Sequence, residues 1–136
     1  MVKLIMGLSG SGKTKALIDL VAKAIDQERG DVICIEKSKH LTYDIPSQAR
    51  LIRTDDYGVK GNVMLYGFLS GLHAGNYDIT HIFIDDLNKM LDDRSNEAME
   101  KFMGDLERFG ERESVNFTIT TTADPASASE ALKAYF

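Results

Sequence analysis

Apolar residues along the chain fall into two kinds of stretch: short unbroken runs, and longer segments where they recur every three or four positions. Residues 2–6 are apolar except for Lys3, which predicts a buried strand. Leu17, Ile18, Val21, Ala24 and Ile25 then repeat at helical spacing, and Gly30 suits the position after a helix C-cap. Val32-Ile33-Cys34-Ile35 predicts a second buried strand, followed by the polar loop Glu36-Lys37-Ser38-Lys39-His40. Residues 41–47 contain Pro46 and show no period, so they read as loop. Residues 49–53 read as a short or edge strand, and 54–58 as a turn. Residues 61–75 predict a helix with Met64, Leu65, Phe68, Leu69 and Leu72 on one stripe, weakened by Gly67 and Gly71. After a turn at Gly75-Asn76-Tyr77-Asp78, the run Ile82-Phe83-Ile84 lacks alternation and predicts a strand covered on both faces. Met99, Phe102, Met103, Leu106 and Phe109 mark the buried face of another helix. Ser95 is its expected N-cap, Glu97 lies in its first turn and Gly110 is its expected end. Residues 115–121 are β-branched and aromatic enough for a last strand, and Pro125 opens an expected C-terminal helix over 126–135.

Strands and helices therefore alternate. That order predicts an α/β fold: a three-layer α/β/α sandwich with a mostly parallel sheet and right-handed crossovers. The chain of 136 residues, 43% apolar and 27% charged, is read as one domain over residues 1–136, without repeats or linkers. With 21 acidic against 16 basic residues the net charge is −5, which weighs against broad contact with nucleic acid or anionic membrane. The single cysteine, Cys34, sits inside an apolar run and is read as a small hydrophobe in a reducing compartment. No run has the length of a membrane-spanning helix, and the first residues do not resemble a signal peptide, so the expectation is a cytoplasmic protein.

Chemistry concentrates in Gly7-Leu8-Ser9-Gly10-Ser11-Gly12-Lys13-Thr14, which satisfies the phosphate-binding P-loop pattern between a predicted strand and a predicted helix. Glycines let successive backbone N–H groups turn inward around a polyphosphate, and the helix start adds unpaired donors. Lys13 is then expected to reach the β and γ phosphates, and the Thr14 hydroxyl to hold Mg²⁺. The run Ile82-Phe83-Ile84-Asp85-Asp86 places acids at the carboxyl end of a strand, where parallel strands converge on one crevice. Asp85 is the expected Mg²⁺ partner, direct or through water. Asp86 is either a base that polarises an attacking water or hydroxyl, or a solvated acid capping the next loop.

Together these two stretches resemble the P-loop NTPase superfamily, and the extra strand between them looks like its RecA-like ATPase side. The β/α order is also similar to the ATP-binding domain of type II thymidine kinases, in which a basic loop and short strand likewise precede the acidic strand end. That family follows its acidic strand end with Glu and Ala-Gln-Phe and carries a zinc-bearing lasso. This chain has Asp86-Leu87-Asn88 and one cysteine. The resemblance implies Mg-ATP as ligand, with Asn88-Lys89-Met90-Leu91 lacking the Asp of a guanine signature. It also implies coupling of ATP binding or hydrolysis to a protein partner or a homo-oligomer. Two alternatives stand beside this ATPase: a small-molecule kinase of the nucleoside type, and a non-hydrolysing ATP-binding regulatory module.

Several further residues have a functional and a plain reading. Glu36 is a second candidate base or an exposed loop acid. One of Thr120, Thr121 and Thr122 senses the γ-phosphate, or all three serve β propensity alone. Lys37, Lys39 and His40 form a basic lip or a solvated loop. Arg94, Arg108 and Arg112 are arginine fingers toward a neighbouring subunit, or solvated helix residues. His73 and His81 lack metal-ligand spacing, so no zinc site is assigned.

Overall fold

The computed structural model describes residues 1–38, 41 and 44–136. The predicted Lys39 and His40 of the basic lip lie outside the described residues, as do Thr42 and Tyr43 of the predicted loop. The chain alternates as β1 (Val2–Gly7), α1 (Lys13–Gln27), β2 (Asp31–Glu36), β3 (Arg50–Arg53), α2 (Asn62–Gly75), β4 (Ile79–Ile84), α3 (Asn96–Glu113), β5 (Asn116–Thr122) and α4 (Glu130–Lys133). All strands are parallel, in the spatial order β1-β5-β4-β2-β3, so the fold is α/β with a five-stranded sheet. β5 separates β1 from β4, the two strands whose carboxyl ends carry the candidate chemistry.

Strands buried on both faces must be apolar on both, which is why β2 and β4 read as unbroken runs. One face packs on α1: Leu17, Val21 and Ala24 meet Val32, Cys34 and Phe83. The other face packs on α2, α3 and the C-terminal segment: Leu65, Leu69, Phe102, Leu106 and Leu132 meet Ile33, Ile82, Ile84 and Phe117. Phe83, Phe117 and Leu17 are fully buried, each contributing about 1.5–3 kcal/mol of transfer free energy. Cys34 is buried as expected; its desolvation and the nearby carboxylates of Asp85 and Glu36 push its thiol well above the ordinary range.

In its helices the structure departs from the sequence reading in three places. α3 does not end at Gly110 but runs to Glu113, and Ser114 adopts the left-handed closing conformation at φ 57°. Gly110 is needed for contact: a Cβ there would lie 2.5 Å from the Val115 carbonyl oxygen. The C-terminal helix is two pieces. Asp124 caps a 3₁₀ turn at Pro125–Ser127 and Ser129 caps α4, with Ala128 extended between them. On α2 the buried stripe is Leu65, Leu69 and His73, whereas Met64 is 53% exposed.

No described helix is long and apolar enough to cross a membrane.

Candidate functional site

β1 ends at Gly7 and α1 begins at Lys13, so the loop from Leu8 to Gly12 turns directly onto a helix N-terminus. Gly10 and Gly12 take φ of 82° and 87°, which an L side chain resists. A Cβ on Gly7 would press on Ser11 Oγ, so one of the two would have to shift. The turn is closed by Ser11 N–H donating to the Leu8 carbonyl at 3.1 Å. Lys13 Nζ donates to the same carbonyl at 3.3 Å, which folds its ammonium back over the loop. Leu8 to Gly12 are solvent-exposed, and α1 starts without a side-chain cap, so its first N–H groups lack that satisfaction from the protein.

Thr14, in the first turn of α1, donates its hydroxyl to Asp85 Oδ1 at 3.3 Å across 71 positions of sequence. The two predicted cation ligands are thus brought together. Asp85 follows β4, and its N–H donates to the Ile35 carbonyl at 2.9 Å, pinning it beside the end of β2. Oxygens adjacent in an octahedral Mg²⁺ shell at about 2.1 Å sit about 3.0 Å apart, so the Thr14–Asp85 pair fits such a cation with a small inward movement. Among the described residues no group of three or more His, Cys, Asp or Glu side chains could hold a metal ion. Any cation between Thr14 and Asp85 therefore needs further oxygens from ligand and water.

Asp86 sits next to this pair in the left-handed region, at φ 58° and ψ 57°. Its Oδ1 accepts from Thr122 Oγ1 at 2.9 Å, and its Oδ2 pairs with Lys89 Nζ at 3.1 Å. The β5 threonines are more than strand formers. Thr120 is wholly buried and donates to Asp85 Oδ1 at 2.8 Å while accepting the Asp86 N–H at 2.8 Å. Thr121 Oγ1 donates to Asn88 Oδ1 at 3.2 Å, and the same oxygen accepts the Thr122 N–H at 3.0 Å. This latch was invisible in the sequence because its members are more than thirty positions apart; the only local signal was the polar triplet itself.

Glu36 is not an exposed loop acid. It closes β2, is 2% exposed, accepts the Leu41 N–H at 3.1 Å and lies 3.3 Å from Arg53 Nε. The β2–β4 register, with Ile35 opposite Ile84, sets it beside Asp85. Of the predicted arginines, Arg94 shares a cavity of about 190 Å³ with Asn88, Thr121 and Thr122. Arg108 pairs with Asp105 at 2.6 Å, and Arg112 pairs with Glu113 and lies over the Phe109 ring, both away from the site. His73 and His81 are buried. His81 bridges Glu28 and Thr118, each at 2.8 Å, toward the opposite end of the sheet. A cavity of about 650 Å³ lies between β3 and α2 and includes no glycine-loop residue. The carboxyl-end crevice is favoured over it, because there the loop, the hydroxyls and the acids converge.

No protein-family model matches the chain, and no curated protein matches it.

Proposed function

We propose that the chain binds Mg-ATP on residues 7–14 as a P-loop nucleotide-binding domain of the RecA-like kind. We further propose that it works as a cytoplasmic ATPase, coupling binding or hydrolysis to a protein partner or to another copy of itself. The observation that carries this reading is the Thr14–Asp85 contact. It joins a glycine turn at a helix N-terminus to an acid at the carboxyl end of a parallel strand, the juxtaposition that a phosphate-bound cation requires.

In this reading the Leu8 to Gly12 backbone cradles the phosphates, and Lys13 leaves the Leu8 carbonyl to reach the β and γ oxygens. Thr14 and Asp85 hold Mg²⁺, which would neutralise charge on the phosphate oxygens. Thr120 fixes the Asp85 carboxylate. Asp86 polarises the attacking water, with Glu36 as the second candidate base. The non-hydrolysing module is kept as a second reading on one specific observation: both oxygens of Asp86 are already engaged, by Thr122 and Lys89.

Nucleotide binding and phosphate release, measured with Mg-ATP for the wild type and for Lys13→Ala, test the proposal. Binding and release by the wild type, both lost in the variant, are the expected result. Binding without release selects the regulatory module. No binding by the wild type overturns the nucleotide reading.

A further inference from the structure

A cleft of about 300 Å³ opens beside Lys89, the ion-pair partner of Asp86, and among the described residues three lysines line it from three separate segments. Lys37 follows β2, Lys60 precedes α2, and Lys89 lies in the turn after β4. Thr54 also lines the cleft. It is 1% exposed, and its hydroxyl oxygen has no hydrogen-bond partner among the described residues. A buried hydroxyl without a protein partner is rare in a folded protein and leaves a donor open to water or a bound group.

The charges are arranged to be released to a ligand. Lys60 is exposed and makes no ion pair among the described residues. Lys37 pairs with Asp55 and Lys89 with Asp86, and the lysine side chains are 42% and 55% exposed, so both pairs are weak and exchangeable. The one acid in the lining, Asp92, is turned to the start of α2, where its Oδ1 accepts the Asn62 N–H at 2.9 Å. Among the described residues no arginine lines the cleft. Ammonium point charges with a hydroxyl donor beside them suit the oxygens of a phosphate. The volume is at the low end for ligand sites and suits one small molecule.

We propose that this cleft binds a small phosphomonoester through Lys37, Lys60, Lys89 and the Thr54 hydroxyl, and that the bound phosphate draws Lys89 off Asp86. The cleft stands whether or not the glycine loop takes a nucleotide; only the link to Asp86 rests on the proposed function. Under that function the second ligand frees the Asp86 carboxylate, so it acts as acceptor or activator of the ATP site.

The test uses the full chain carrying Lys13→Ala, so that phosphate at the glycine loop does not contribute and the two readings fail separately. Glycerol 3-phosphate is titrated in without ATP while the backbone amides of Thr54, Lys60 and Lys89 are followed by NMR. Saturable shifts at those residues are expected. Lys60→Glu should weaken binding at least tenfold and Thr54→Val severalfold, while Lys133→Glu on the far surface should leave it unchanged. Absence of saturable shifts overturns the proposal, as does equal affinity in Lys60→Glu. Tighter binding of inorganic phosphate than of glycerol 3-phosphate overturns the assignment to an ester.

Discussion

Replacing Thr120 by Val removes one hydroxyl while keeping the side chain's shape, and the structure gives two consequences that can be measured separately. The hydroxyl donates to Asp85 Oδ1 at 2.8 Å and accepts the Asp86 N–H at 2.8 Å. A hydrogen bond to a charged acceptor is worth about 1.5–3 kcal/mol and a neutral one about 1 kcal/mol. Asp85 and Asp86 are only half-buried, so water recovers part of the loss. The expected destabilisation is about 2 kcal/mol, or roughly 6–8 °C in Tm for a domain of this size. The second consequence is functional. A partner that orients a metal-ligating carboxylate affects metal affinity about 10–100-fold when removed. Urea unfolding without ligands reads the first effect, and Mg²⁺ titration of ATP binding reads the second. Thr120→Ser should restore both. If Thr120→Val loses stability but keeps its Mg²⁺ dependence, the hydroxyl only supports the fold. If it weakens ATP binding with stability unchanged, the threonine senses phosphate directly and the latch is refuted.

Two other expectations concern the fold. Gly110→Ala gains about 1 kcal/mol in helix propensity, but its Cβ would meet the Val115 carbonyl at 2.5 Å, so a net loss of about 1–3 kcal/mol is expected. Gly71→Ala meets nothing within 4 Å and should stabilise by about 0.5–1 kcal/mol; opposite signs in the urea midpoints are the result to look for. His81 has its basicity lowered by burial, against the opposing pull of Glu28 and with a small further lowering from the N-terminal ammonium. The unfolded chain therefore takes up the proton first, and stability falls as pH drops below about 6.5 toward the depressed folded value. His81→Gln should flatten that part of the profile, and a wild type that gains stability on acidification there would show that Glu28 dominates instead.

The elements were legible because each is set by local periodicity. The α1 and α3 stripes, the unbroken β2 and β4 runs and the Ser95 cap, whose hydroxyl accepts the Ala98 N–H at 3.1 Å, need only neighbours in sequence. The errors share one cause, which is that tertiary contact decided the outcome. Gly110 looked like a terminator because glycine commonly ends helices, but here it makes room for the approach of β5. Met64 was assigned to the buried stripe of α2, yet the packing direction gives that place to His73. Glu36 looked like a loop acid because polar residues follow it. Its burial depends on β3 bringing Arg53 alongside, with Glu36 and Arg53 as register partners. In the candidate site, the motif letters located Thr14 and Asp85, but no local signal shows that Thr120 holds two acids at once.

That latch also bears on how far binding and turnover can be separated. Thr14 and Thr120 both direct their hydroxyls at Asp85 Oδ1, so the proposed cation ligands are set before any nucleotide arrives. Asp86 is in the opposite condition. A non-glycine residue in the left-handed region carries strain of about 1–3 kcal/mol, maintained here by three contacts, from Thr120 to its N–H and from Thr122 and Lys89 to its carboxylate. Thr122 and Lys89 occupy both oxygens of that carboxylate, so an attacking water has neither oxygen to itself. The Thr122 and Thr120 contacts lie within the packed end of β5, whereas Lys89 is 55% exposed, so Lys89 is the contact that can leave at least cost. Under the proposed function, nucleotide binding would need only a small inward movement of Thr14 and Asp85, while hydrolysis would wait on the departure of one lysine. Under the proposed function, such a chain would hold Mg-ATP in a waiting state and turn it over when a second ligand or partner takes Lys89.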